Sequence, residues 1–337
     1  MKGDAVMKLQ RILLVVFISI CFGCCYVFTG RQYDPLGRYP YGTEAQRERI
    51  RNCISKQDIQ FIIDEDILPE TFMPFMDNKE FDMTLCREYY AVAECKPEQS
   101  AASVVSFVNQ VCGQMGSALM LQYLEEYDFQ ALIDWVNYKD QYVKNGKLLL
   151  HPDSLDATLD DITGVGRYVP DDLVKVDGIS TPISGETVKL REEANENLTN
   201  MCKLLTDTFS SKCGGLIGVQ GYMSFENQAK TYDEQLMEYG PDEVSKVFRY
   251  PGHNEVQLGM TIRFSLAKNE EQLENSEVFR WLVENAHTFG YVLRYPEEKE
   301  DVSRHVFDAT QWRYVGTELA TYLKQHNLCL EEYHSIK

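Results

Sequence analysis

The feature that most constrains this chain is an uncharged run near its start, ILLVVFISICFGCCYVFT from Ile12 to Thr29. Its 18 residues are close to the minimum for a helix crossing a hydrocarbon core of about 30 Å. No second run of that kind occurs in the 337 residues. Lys8 and Arg11 precede it, so the positive-inside rule keeps the tip in the cytoplasm and sends residues 32–337 outside. The expectation is a single N-terminal transmembrane helix within a signal-anchor over residues 1–31, and a cell-membrane protein whose C-terminal part is extracytoplasmic. A cleaved signal peptide competes, but no small-x-small site follows the run. Lipidation at Cys24 or Cys25 competes too, with Cys21, Phe22 and Gly23 forming a poor lipobox.

Charge divides at the same place. Lys2, Lys8, Arg11 and Arg31 face only Asp4 in the first 31 residues, which leaves 29 basic and 51 acidic side chains, a net −22, on the remainder. Such a polyanion is repelled by phosphate backbones, and no Lys/Arg run offsets it, so nucleic-acid binding is excluded. Seven of the ten cysteines lie beyond the anchor, and an extracytoplasmic address permits disulfides. Cys86 with Cys95 and Cys202 with Cys213 are candidate pairs by separation, although spacing leaves connectivity open.

Beyond a linker, Thr43 and Gln46 form a capping box at the head of a basic helix, so residues 32–58 read as linker and first helix. Residues 59–160 read as a helical region, helical to 158, with a weak repeat: the segment at 59–81 parallels that at 121–142, each an acidic pair leading into an apolar, aromatic-ended helix. After an extended LVKV, Leu190, Ala194, Leu198, Met201, Leu205 and Phe209 recur at helical spacing, which predicts an amphipathic helix over about 186–209. Strands are expected near LIGVQGY, QLGMTIRFSL, YVLRY and HVFDATQWRYVG. Helices are expected at 225–239, at 276–289 and across GTELATYLKQHN. The order is that of an α+β domain.

Five blocks in this second part agree, in order and spacing, with a known pattern. They are YVPDDLVKV, QGYMSFENQ, PGHNEVQLGMTIRF, WLVENAHTFGYVLRYP and DATQWRYVG, followed by CLEEY. Through them residues 167–335 resemble the zinc D-alanyl-D-alanine carboxypeptidases of bacterial cell walls, within the lysostaphin/carboxypeptidase/sonic-hedgehog zinc fold. The resemblance implies a mixed carboxypeptidase-like domain after a helical N-terminal region. Most matching positions, such as Pro251, Gly252, Glu255, Gln257, Trp281, Arg294 and Tyr314, are scaffold.

The chemistry departs from the pattern. A hydrolytic zinc needs three protein ligands, an open position for water and a nearby carboxylate base. At the three ligand positions that the resemblance implies stand Val256, Arg263 and Gln311; at the base position stands Asp308, and at the substrate-carboxylate Arg stands Met223. Two unit charges 4 Å apart at an effective dielectric of 20 interact by about 4 kcal/mol, so a guanidinium facing a divalent ion costs roughly twice that. The family cofactor, zinc, is therefore expected to be lost, with no metal in its place. His253 and His305 lie near these motifs but at no ligand position, and are read as surface or loop residues; His151, His287, His326 and His334 are farther from any metal pattern. No GxSxG, P-loop or HExxH motif offers another chemistry. Arg263 is expected to pair with Asp308, its guanidinium replacing the charge of the metal, in a pocket drawn from Tyr222, Gln228, Glu255, Arg263, Asp308 and Trp312.

These readings point to a membrane-anchored, cell-wall-facing pseudopeptidase that binds a peptidoglycan stem peptide or a cell-envelope protein. Two alternatives stay open: an active D-alanyl-D-alanine or L,D-carboxypeptidase in peptidoglycan turnover with a rearranged site, and a structural or assembly protein acting through its helical region.

Overall fold

Helix caps and strand bulges do most of the positioning in this chain. The computed structural model describes residues 2–32, 35–142, 146–183, 187–267 and 272–337. They divide into two compact units, 1–121 and 122–337. The helical region expected at 59–160 therefore spans the division, and its helix Phe129–Tyr142 belongs to the second unit.

In the first unit a long helix, Lys2–Gln32, carries the apolar run, with Ile12 to Ile18 exposed. Among the described residues no single helix is long and apolar enough to cross a membrane, the apolar stretch being Arg11–Val27. The side chain at 28, inside the expected span, lies outside the described residues. Helix Glu44–Cys53 begins with the expected box, Thr43 and Gln46 each satisfying the other's backbone N–H, and Ser55 with Asp58 repeats the device for Lys56–Asp64. Such boxes use donors that a helix start otherwise leaves unpaired. These helices close over Leu36, Tyr39, Ile50, Ile62 and Phe72, while the Tyr39 hydroxyl donates to the Ile67 carbonyl at 2.6 Å. Helix Cys86–Cys95 removes one expected disulfide, because its two cysteines are its end residues. At about 1.5 Å rise per residue their Cα atoms stand roughly 13 Å apart, beyond the ~7 Å a bridge spans.

The two halves of the weak repeat differ in helix length. The first continues after the acidic turn in a four-residue helix, Pro69–Phe72, and the second in Phe129–Tyr142. The run expected to stay helical to 158 stops at Tyr142; 143–145 fall outside the described residues, and two short parallel strands follow, β1 (Lys147–Leu148) and β2 (Thr163–Gly164).

The core of the second unit is a helix on a sheet. Strands β3 (Leu173–Lys175) and β4 (Lys189–Arg191) pair antiparallel, Val174 opposite Leu190. Leu190 is thus a strand residue, and the amphipathic helix begins only at Glu192 and ends at Phe209. The strand prevails because its backbone is in demand: the Lys189 carbonyl accepts from Tyr222 N and Arg191 N donates to the Gly259 carbonyl, each at 2.8 Å. A Cβ on Gly221 would stand 2.2 Å from that same Lys189 oxygen, so only glycine fits there.

Helix Glu192–Phe209 lays Ala194, Leu198, Met201 and Leu205 on an antiparallel sheet of order β5 (Leu216–Gln220), β6 (Thr261–Leu266), β8 (Asp308–Tyr314), β7 (Tyr291–Tyr295). Alternation sends Ile262, Phe264, Trp312 and Tyr314 to that helix and Arg263 and Gln311 to the opposite face. The disulfide Cys202–Cys213 joins the helix to the approach to β5. Helices Phe225–Tyr239, Glu277–Asn285, Thr317–His326 and Leu330–Ile336 complete the unit.

Candidate functional site

Sheet register builds the site. Gln220 pairs with Arg263 across β5 and β6, and Arg263 with Gln311 across β6 and β8, so three polar side chains from adjacent strands share one level of one face. Two irregularities make this so. The β5–β6 register shifts between Gly218 and Gln220, so Gly218 lies opposite Phe264 on the core side while Gln220 comes level with Arg263. The β7–β8 register shifts between Leu293 and Tyr295, which lets Asp308 reach the pocket face although it has the parity of core-facing Trp312. Bulges redirect side chains in this way.

Val256, Arg263 and Gln311, the three positions singled out by the sequence pattern, line one small cavity together with Gln220, Val247, Phe248, Arg249, Asn254, Tyr295 and His305. Its room for water is about 10 Å³, enough for about one molecule. The expected pair is present: Arg263 donates through its NH2 group to Asp308 Oδ2. Asp308 Oδ1 accepts from Thr310 N at 2.9 Å and from its hydroxyl at 2.6 Å. Burial opposes ionisation of Asp308, but the Arg263 charge and the two Thr310 bonds hold its carboxyl below the usual carboxylate range. Met223 stands beside the cavity, its N–H donating to the Val256 carbonyl at 3.3 Å.

His253 and His305 lie in loops, as expected, but both are buried. His305 is 7% exposed, stacks on Tyr295 with ring centroids 3.7 Å apart, and faces carbonyls with both nitrogens, Val306 at 2.8 Å and Val247 at 3.3 Å. Burial, with Arg249 near, pushes its pKa down to about 4, the Val306 bond offsetting part of the effect. His253 is buried outside the cavity, its Nδ1 at 2.8 Å from the Asp160 carbonyl, and burial lowers its pKa as well. Only the expected exposure fails, because an X-Pro-Gly loop and a turn before a strand look exposed, whereas here other backbone closes over them.

Three residues expected in the pocket belong to its frame. Gln228, fully buried, donates to the Met223 carbonyl and to Gln257 Oε1 and accepts from Gly252 N. Gln257 passes the link on to the carbonyls of Gly166 and Tyr168, so two amides tie three chain segments. Glu255 receives two bonds from Arg294, Nε at 2.8 Å and NH2 at 2.7 Å, with Arg313 NH1 3.8 Å away. Arg294 reaches on to Glu331 at 2.6 and 3.1 Å. Burial works against a charged Glu255, yet Arg294 foremost, with Arg313 and Arg249, pulls its pKa down to about 2. Trp312 sits in the core and donates from its ring to the Ala309 carbonyl. Tyr222 is half-buried and does not line the cavity.

The last residues of the expected helical region also do unforeseen work. Arg313 NH2 donates to the carbonyls of Leu155 and Ala157, and Arg249 NH1 to that of Leu159. The stretch 155–160 is thereby strapped to the frame behind the cavity. Arg249 carried no motif, and only the adjacent Pro251-Gly252 turn hinted that the chain doubles back there.

A hydrolytic zinc does not fit this donor set. Val256 has no lone pair, Gln311 offers only an amide, Arg263 brings a fixed cation, and Asp308 is committed to that cation. Among the described residues no three His, Cys, Asp or Glu side chains stand together as a metal would need.

Residues 187–317 match the family model described as VanY, D-alanyl-D-alanine carboxypeptidase. The chain is 29% identical over 174 residues to YodJ of Bacillus subtilis, covering 50% of this chain and 62% of that protein. It is 33% identical over 126 residues to a D-alanyl-D-alanine carboxypeptidase of Enterococcus faecalis, covering 35% and 46%. The chain thus spans only about half to three fifths of these relatives. Among solved structures, the LD-carboxypeptidase LdcB superposes with a TM-score of 0.51 at 27% identity, over 57% of this chain and 91% of that one. The five sequence blocks, the sheet that carries them and these matches agree: the stretch 187–317 is similar to the D-alanyl-D-alanine carboxypeptidase family.

Proposed function

We propose that this protein is a non-catalytic member of that family, which uses the carboxypeptidase fold to bind a peptidoglycan stem peptide or a cell-envelope protein. The observation that carries the reading is the Arg263–Asp308 pair on the metal face, because it neutralises the base and places a cation where the reaction requires a metal ion. One carboxylate without metal or oxyanion donors is a weak hydrolase. The apolar stretch that follows Lys8 and Arg11 within helix Lys2–Gln32 supports an anchored, wall-facing location. LdcB, which shares the fold, is described in terms of peptidoglycan recognition, and that supports a wall peptide as ligand.

The test is metal content and turnover of the purified chain. We expect no stoichiometric zinc and no release of D-alanine from muropeptides, together with saturable muropeptide binding. Stoichiometric zinc with D-alanine release would sink the proposal in favour of an active enzyme with a rearranged site. A helical first unit that captures envelope protein when the second does not would instead favour a structural or assembly role.

A further inference from the structure

The cavity holds two donors without acceptors. Arg263 spends NH2 on Asp308 and leaves Nε buried and unpaired, while Gln311, 4% exposed, leaves Nε2 unpaired. The two residues are register partners, so their Cα atoms lie about 5 Å apart on adjacent strands. Both line the same space, and so does the buried Arg249, which gives the lining two cations in a chain of net charge −19. A buried N–H without a partner costs stability and is rarely left so. Two that share a water-sized space define a place for one acceptor atom, and the cations favour an anionic one.

We propose that the family's metal position is here an anion subsite, in which Arg263 Nε and Gln311 Nε2 donate to one oxygen of a carboxylate. This rests on the reading of the domain as a peptide binder and adds what it reads: a free carboxylate, held on β6 and β8 rather than at position 223, where Met223 offers no charge. The electrostatic sign of the position is reversed relative to a metal site. A cation holding an oxygen gives way to N–H groups holding an oxygen, with no bond made or broken.

The experiment is thermal denaturation of the full chain at fixed ionic strength with formate, D-alanyl-D-alanine or D-alanyl-D-alaninamide. We expect saturable rises in Tm with formate and with the dipeptide acid and none with the amide. Gln311→Leu, which removes a donor and no charge, should abolish the rise. Arg263→Lys, which keeps a cation for Asp308 but lacks Nε, should weaken it at least tenfold in midpoint concentration. A dipeptide midpoint tenfold or more below that of formate identifies a peptide terminus as the ligand; equal or reversed midpoints identify a small free carboxylate. Equal responses to acid and amide, no response to either acid, or an unchanged response in folded Gln311→Leu would overturn the proposal. Zinc content and D-alanine release are read separately, so the subsite can fail while the non-catalytic reading stands.

Discussion

Two clusters of charge lie on neighbouring parts of the second unit and are built in opposite ways. Behind the cavity, Glu255, Arg294 and Glu331 bind one another through multiple hydrogen bonds with almost no exposure of Arg294 or Glu255. In the cavity, Arg263 and Asp308 make one contact, with side chains 34% and 13% exposed, and Arg263 and Gln311 keep donors in reserve. The first arrangement can only hold strands and helix termini together. The second forgoes part of its hydrogen bonding, which a fold tolerates where something else supplies the acceptor. Arg313 NH1, in the frame 3.8 Å from Glu255, also lacks a hydrogen-bond partner, so an unpaired donor marks a site only where, as with Arg263 and Gln311, it belongs to a residue lining the cavity.

The comparison breaks most severely in the frame. Arg294→Met should cost about 3–5 kcal/mol, because it leaves Glu255 buried with a weaker partner; a fall in Tm smaller than that of Asp308→Asn would overturn the distinction. pH separates the clusters next. His305, lowered to about 4 from 6.5, takes up its proton in the unfolded chain first, so stability should decline as pH drops from about 6.5 to 4, by on the order of 3 kcal/mol. Glu255, lowered from 4.5 to about 2, contributes stability that is whole above pH 4.5 and is lost only as pH falls toward 2. A His305→Phe variant, which keeps a ring against Tyr295, should shrink the upper window to what the buried His253 contributes and retain the lower; denaturant titrations at pH 7, 5 and 3 would show it. Asp308→Asn should cost about 1 kcal/mol, the Arg263 partner being partly solvated, and Arg263→Ala should also lower Tm. The smallest effect belongs to Gln311→Leu without ligand: no loss, or a gain of a few tenths of a kcal/mol, since it removes an unpaired buried amide.

Much of this architecture was legible in the sequence, unevenly and for physical reasons. Helix Phe225–Tyr239 falls where expected because Ser224 caps it and Gly240 stops it, both local signals. The Arg263–Asp308 pair followed from charge arithmetic at two motif positions. Glu255, Gln228 and Trp312 were expected in the pocket because a motif shows which residues recur together, whereas which way each faces depends on register. Leu190 fitted a helical stripe equally well, and a long-range strand partner decided its fate. The burial of His253 and His305 depends on segments far away in sequence, Asp160 for one and Val247 for the other. No local pattern encodes such closure.

The two register shifts that flank the site carry a further consequence. If a strand segment advances by one position, every side chain beyond that point exchanges faces. Asp308 has the parity of core-facing Trp312, so removing one residue between Asp308 and Gln311 would leave the acid on the pocket face by plain alternation, whereas losing the irregularity at full strand length would turn the acid toward the helix. Lengthening or shortening the strands at these two points would recombine the same side chains into a differently charged cavity without altering any of them, so insertion and deletion at the bulges reach site compositions that point substitution does not.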